Sequence, residues 1–282
     1  MRRFFLSLQA ILVAGAAAQN IPPRDVLGWL NERGNVPEAK NPTVTPRPTQ
    51  HDRDRHGSAA QFSCGSLAYG LTPEDCEYMA SIGVHGQGEN AMELGANGTG
   101  IWIGIDGPNT FTFINAADVP MILIMWYRGP GDDQASFVNV RAPTISYSLP
   151  IRNSAVGISA LNGVPGGWSM LYNRSTPLTQ YGQVDNTFGE FSTGDWATID
   201  VSRLVKMTGN PMIVAVSGGC VADMERCVYA CDTGTDSCGA AGTYNLLGCE
   251  GKNAVQAIDP DGNPTGGCQG WSNGGHLDIF MM

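Results

Sequence analysis

Charge is scarce in this 282-residue chain: Asp, Glu, Lys and Arg make up 15% of it, and basic residues, 16 against 26 acidic, are the scarcer kind. Nucleic acid and anionic membrane surfaces both demand a basic footprint, so neither is expected as a partner. Long apolar runs are missing too. Beyond the N-terminus no segment has the roughly 18 unbroken apolar residues of a membrane-spanning helix. Histidine is limited to His51, His56, His85 and His276, and no Gly-x-Ser-x-Gly elbow occurs, which leaves no nucleophile-and-base set for acyl transfer. No Cys-x-x-Cys pair with matching histidines is present, so a structural zinc site is not expected. A copper site of the kind that oxidises polysaccharides would need an N-terminal histidine. Processing after Arg55 would supply one at His56, with His85 or His276 as second ligand, but the expected start supplies none. No metal and no cofactor are expected.

What is there begins with Arg2 and Arg3, the apolar stretch FFLSLQAILVAG, and Ala16, Ala17 and Ala18. A charged start, a short apolar core and a small-residue cleavage site describe a secretory signal peptide over residues 1–18. Its removal takes away two arginines, moving the net charge from −10 to −12. Residues 19–60 are rich in proline and charge and poor in apolar periodicity, a leader that cannot bury enough surface to order itself, with at most a turn or two of helix in VLGWLNERG. Eight cysteines follow, at 64, 76, 220, 227, 231, 238, 249 and 268. An even number in an oxidising compartment implies four disulfides, whose pairing spacing alone leaves open. The sequons at Asn97 and Asn173 are candidate glycan sites. A soluble, secreted, monomeric protein, extracellular or associated with a cell wall, is the expectation.

From Cys64 onward, short apolar runs alternate with clusters of Gly, Pro, Asn and Asp. The strand candidates are IWIGI (101–105), TFTFIN (110–115), MILIMWY (121–127), TISYSL (144–149), WSMLY (168–172), FGEFS (188–192), ATIDV (197–201) and MIVAV (212–216), closed by HLDIFMM. So many short strands indicate an all-β antiparallel sandwich over residues 61–282. Helical character is confined to SAVGISAL and TPEDCEYMASIG, the latter with Thr72 as N-cap and Pro73 at the first helical position. Six cysteines crowd residues 217–270, which reads as a disulfide-rich, loop-rich lobe with a small core of its own.

The order of several blocks carries a resemblance. FTFINAADVPMILIMWY, ISYSLPIRNSAVGISALNGVPGGWSMLY, NTFGEFS and ATIDVSRLVKMTGNPMIV, followed by Cys220, resemble the thaumatin-like proteins. The matching residues are Asn115, Trp126, Trp168, Glu190, Phe191, Asp200, Val201, Ser202, Asn210, Pro211 and Met212. With the tail CVADMERCVYAC, the chain is similar to secreted fungal proteins of the Asp f 4 allergen type, some of them candidate effectors. The resemblance covers about residues 100 to 282. It implies a thaumatin-like β-sandwich with a disulfide-rich lobe, and a protein of the cell wall or host interface that meets β-glucan or a host protein. It also implies an acidic cleft, in which Glu190 and Asp200 match two of the expected carboxylates while Val205 stands where a third is expected, with Lys206 beside it.

Glu190 and Asp200 are therefore the candidate acid/base pair. A glycosidase needs one carboxylic acid and one carboxylate flanking the scissile bond. A hairpin turning at 192–195 would place the two opposite one another. The bland reading is that Asp195 is a turn residue and Asp200 hydrogen-bonds nearby backbone. His276, between Gly275 and Leu277, reads as a strand-edge histidine. Trp126 belongs to a core strand, whereas Trp196, beside Gly194 and Asp195, and Trp271, among Gly, Asn and Ser, read as exposed and suited to stacking on sugar. With one acidic wall missing at Val205, the sequence favours a non-catalytic binding protein over a β-glucan hydrolase. Its expected ligand-binding residues are Trp196, Trp271, Glu190 and Asp195.

Overall fold

The structure, a computed structural model, describes residues 64–65, 67–84, 98–129 and 143–282. The signal segment, the leader, the sequon at Asn97 and three of the histidines (51, 56 and 85) lie outside the described residues. The described part contains one helix, α1 (Pro73–Ser81), and is otherwise β. Its first strands are β1 (Ile101–Ile103), β2 (Asn109–Asn115), β3 (Met121–Tyr127), β4 (Ile145–Leu149), β5 (Ala155–Ala160), β6 (Pro165–Tyr172), β7 (Phe188–Ser192) and β8 (Thr198–Ser202). They are followed by β9 (Met212–Val216), β10 (Val221–Ala222), β11 (Val228–Cys231), β12 (Tyr244–Leu247), β13 (Ala254–Ile258), β14 (Pro264–Cys268) and β15 (Gly275–Met281).

Two sheets pack together. One runs β1-β5-β2-β15-β9-β10; the other runs β12-β11-β8-β7-β6-β3-β4, with the β13–β14 hairpin attached to β8 through β14. The expectation of purely antiparallel sheets needs correction. β15 pairs parallel with β2 over seven residues, and β11 pairs parallel with β8. Both strands return through long connections rather than tight hairpins, and such connections permit parallel pairing.

Alternation explains the packing. In β2, Phe111 and Phe113 are buried at every second position and meet Leu277, Ile279 and Met281 of β15 in the core cluster. β3 is apolar throughout because both its faces are covered: Met121, Leu123 and Met125 belong to that core, whereas Ile122, Ile124 and Trp126 belong to a second cluster with Met79 of α1 and Phe188. The helix starts as expected, Thr72 Oγ1 accepting from the Asp75 amide at 3.3 Å with Pro73 in the first turn. It is held down by the Cys64–Cys76 disulfide and by buried Asp75, which accepts from Ser148 Oγ (2.5 Å) and Arg174 Nε (2.6 Å).

SAVGISAL is a strand, β5, not a helix. Its β-branched Val156 and Ile158, with Ala160, fall on one face of a strand and enter the core, a period of two that wins over weak helical propensity. His276 also departs from expectation: β15 lies between β2 and β9, so the histidine is on an interior strand, its ring held by Thr110 Oγ1 (2.8 Å) and Asp278 Oδ1 (3.1 Å).

All eight cysteines pair, as 64–76, 220–268, 227–249 and 231–238. The cysteine-rich stretch has no separate core. β10 joins the first sheet, β11, β12 and β14 join the second, and Cys220, Cys227, Cys249 and Cys268 lie in the same cluster as Phe111 and Trp168. Bridged sulfurs are apolar, so they extend the existing core instead of founding another. Asn173 is exposed, in a turn after β6.

Candidate functional site

The stretch NTFGEFSTGDWATIDVS folds as the β7–β8 hairpin, turning at Gly194–Trp196. Residues that alternate along it point to opposite faces: Phe191 and Ile199 enter the core between the sheets, while Glu190, Asp200 and Ser202 point away from it. In this register Glu190 is directly opposite Asp200. Cross-strand partners have Cβ atoms about 4.5–5.5 Å apart, so the two carboxyl groups share one patch of surface.

That surface is a cleft of about 540 Å³. Glu190 and Asp200 line it with Arg128, which directly follows β3, and with Tyr229 of β11 and Tyr244 of β12. The two tyrosine rings meet edge to face at 6.1 Å. Thr265 and Gly266 of β14 form a further wall. Only glycine fits at 266, where φ is 138° and an added Cβ would lie 1.9 Å from the Val255 carbonyl oxygen. Opposite Glu190 stands Gly167 of β6, which carries no side chain to fill the space.

Electrostatics separates the two acids. Burial pushes Asp200 well above the usual carboxylate range, and the charge of Glu190 pushes it further. Its Oδ1 is buried without a hydrogen-bond partner among the described residues. Burial raises Glu190 as well, but the Arg128 charge and a hydrogen bond from the Ser202 side chain pull it back. The pair therefore holds a proton most readily on Asp200 and a negative charge most readily on Glu190. Tyr229 is pushed far above the ordinary phenol range by burial first and then by Asp200 and Glu190, so it remains a neutral hydroxyl at physiological pH.

A pH dependence follows. Both acids bind protons more tightly folded than unfolded, so their contribution to stability is fully present below their unfolded pKa values. It declines as pH rises through the raised folded values. Asp200→Asn removes the more strongly shifted group. In thermal unfolding across a pH series, this variant is expected to match the parent in acid and to exceed it at neutral pH. Equal pH profiles for the two proteins would contradict the assignment.

The other expected residues fall in different places. Trp196 is 38% exposed and lines a smaller hollow that adjoins the cleft. Trp271, expected at the surface, is only 1% exposed, its ring edge-on to Phe111 at 5.9 Å. Its Gly, Asn and Ser neighbours make a loop that tucks the indole inward, so it cannot stack on a ligand from this position. Asp195 is exposed and accepts from Asn273 Nδ2 (2.6 Å), outside the lining of both hollows and in keeping with its reading as a turn residue. Val205 does line the cleft, as an apolar patch where the resemblance leads one to expect a carboxylate. Lys206 turns instead to Asp236 (2.8 Å) and Asp185 (3.8 Å).

Arg128, Tyr229 and Tyr244 are cleft residues that sequence reasoning missed. The one signal available was the alternation in VYAC, which puts half-buried Tyr229 on the face opposite buried Val228 and Ala230. The sulfurs of Cys220, Cys227 and Cys268 lie within 4.8 Å of one another, but each is committed to a disulfide bond. What the arrangement can do chemically is to hold polar ligand groups against two acids, an arginine and neutral phenols, and to exchange a proton between Asp200 and Glu190. No protein-family model matches the chain, and no curated protein matches it either.

Proposed function

We propose that this is a secreted glycan-binding protein of the cell wall or host interface, which takes a β-glucan chain in the cleft over β7, β8 and β11. The observation that carries the reading is the open cleft holding Glu190, Asp200, Arg128 and two tyrosines on one outward sheet face. Carboxylates, guanidinium and phenols present the mixed donors and acceptors that sugar hydroxyls use, and tyrosine adds an apolar face for a ring. Secretion agrees with four disulfides, which persist in oxidising compartments. The resemblance to thaumatin-like proteins and to allergen-like or effector-like fungal proteins supports the same choice of ligand and place.

The test is retention on insoluble β-1,3-glucan together with release of reducing sugar. Binding without release, kept in Glu190→Gln because the amide still offers sugar hydroxyls an acceptor oxygen and adds a donor, and weakened about tenfold in Tyr229→Ala (about 1.4 kcal/mol), is the expected result. Failure of the intact protein to bind would overturn it.

One observation favours hydrolysis as a second reading. The two acids are cross-strand partners, with Asp200 the better proton holder, and a pair of neighbouring carboxyls with different proton affinities is what a retaining glycosidase uses. Asp200 would protonate the leaving oxygen and Glu190 would attack the anomeric carbon. Sugar release that disappears in Glu190→Gln would establish this reading over the non-catalytic one.

A further inference from the structure

Beside the acid pair lies a second hollow of about 170 Å³. It shares Ser192, Thr198, Thr265 and Gly266 with the main cleft, so the two form one continuous trough. Its chemistry is different. Trp196, Val255 and Ala257 give it an apolar wall, Thr198, Thr265 and Gln269 give it neutral hydrogen-bonding groups, and among the described residues no ionisable side chain lines it.

Trp196 is also the most exposed of the described tryptophans; Trp102, Trp126, Trp168 and Trp271 are all buried. Its turn is braced. Ser192 Oγ donates to the Trp196 carbonyl oxygen at 3.0 Å and shares a hydrogen bond with Thr198 Oγ1 at 2.9 Å. An indole held in this way at a rim, with hydroxyls and an amide around it, suits a flat ligand with one apolar face and a polar, uncharged edge. A neutral pyranose ring has that shape and that division.

We infer that the Trp196 hollow is a sugar subsite that seats one uncharged pyranose ring of the same chain that crosses Glu190 and Asp200. The inference rests on the glycan-binding reading and sharpens it. The protein recognises a neutral polysaccharide over a length that spans both hollows, and short fragments, which reach only one of them, bind weakly. Specificity for chain length comes from Trp196, and the acid pair supplies hydrogen-bond acceptors, with the Asp200 proton as a donor, to the sugar hydroxyls that cross the main cleft.

The experiment titrates the full chain with a graded series of β-1,3-gluco-oligosaccharides by calorimetry, beside Trp196→Ala, Trp196→Phe and Ala257→Phe. The intact protein is expected to show a step of about tenfold in affinity (about 1.4 kcal/mol) once the oligosaccharide is long enough to cover both hollows. Trp196→Ala loses that step and keeps the affinity for short fragments, and Trp196→Phe restores part of it. Ala257→Phe, which fills the hollow with a larger side chain, removes the step with the indole still in place. Long oligosaccharides shield tryptophan emission from acrylamide in the intact protein, and the shielded component is absent in Trp196→Phe. Equal affinities for intact protein and Trp196→Ala at every length, or no step in the intact protein, overturn the subsite and leave the cleft reading standing. Binding of no oligosaccharide by the intact protein overturns the cleft reading and the subsite with it.

Discussion

Gly189→Ala is expected to lower stability by about 3 kcal/mol, the upper end of the usual cost of overpacking. Gly189 is the second residue of β7, directly opposite Trp168 of β6. A Cβ there would lie 1.9 Å from Trp168 Cζ2, with two more ring atoms at 2.3 Å. The indole has nowhere to go: it is fully buried, edge-on to Phe113 at 5.5 Å and tilted against Phe191 at 6.2 Å. Interiors at native density answer such a clash by shifting backbone rather than by compressing. The strand that must shift is the one that carries Glu190. Urea unfolding should show the midpoint falling with little change in slope, and glucan retention should fall in the protein that remains folded. Thr198→Ala, on the exposed side of the same hairpin, serves as comparison and is expected to cost less than 1 kcal/mol. A midpoint unchanged by Gly189→Ala would contradict the packing described.

The hairpin itself was legible in the sequence because every level of signal agreed. FGEFS and ATIDV alternate with a period of two, Gly194 and Asp195 punctuate them, and the turn length sets the register that places Glu190 opposite Asp200. MILIMWY was legible for the same reason, a run apolar on both faces that needs cover on both. The failures share a different cause. SAVGISAL is short and made of small residues, so local propensity said little, and the neighbouring strands β1 and β2 decided its state. Trp271 was misplaced because a polar loop sequence says nothing about Phe111, 160 positions earlier, on which it packs. The strands of the cysteine-rich segment were hidden among Gly and Cys, and the pairing of β11 and β14 with β8 is non-local. The cleft was half legible on this account: its acids lie ten residues apart on one hairpin, whereas Arg128 and Tyr229 reach it from β-strand ends and neighbours that only the sheet order brings together.

Removal of the Cys220–Cys268 bond, in a Cys220→Ala/Cys268→Ala variant, is expected to cost about 4 kcal/mol from chain entropy alone, because it closes the longest loop of the four bridges, with a separation of 48 residues. Cys231–Cys238, with a separation of 7, should cost about 2.5 kcal/mol by the same relation. The larger effect also reaches the site. Cys220 immediately precedes β10 at the edge of one sheet, and Cys268 ends β14, which meets β8 of the other sheet at a single residue pair, Cys268 with Ile199. With so short a ladder, β14 depends on the disulfide to hold it in place, and β14 supplies Thr265 and Gly266, the wall common to the cleft and the Trp196 hollow. Loss of the bond should therefore weaken binding of long oligosaccharides more than loss of Cys231–Cys238 does, even under conditions where both variants are folded. Chemical denaturation ranks the stabilities, and oligosaccharide titration well below the unfolding midpoint ranks the binding. If the two variants bind alike, β14 is held by its pairing with β13 rather than by sulfur, and the wall of the trough is an independent hairpin.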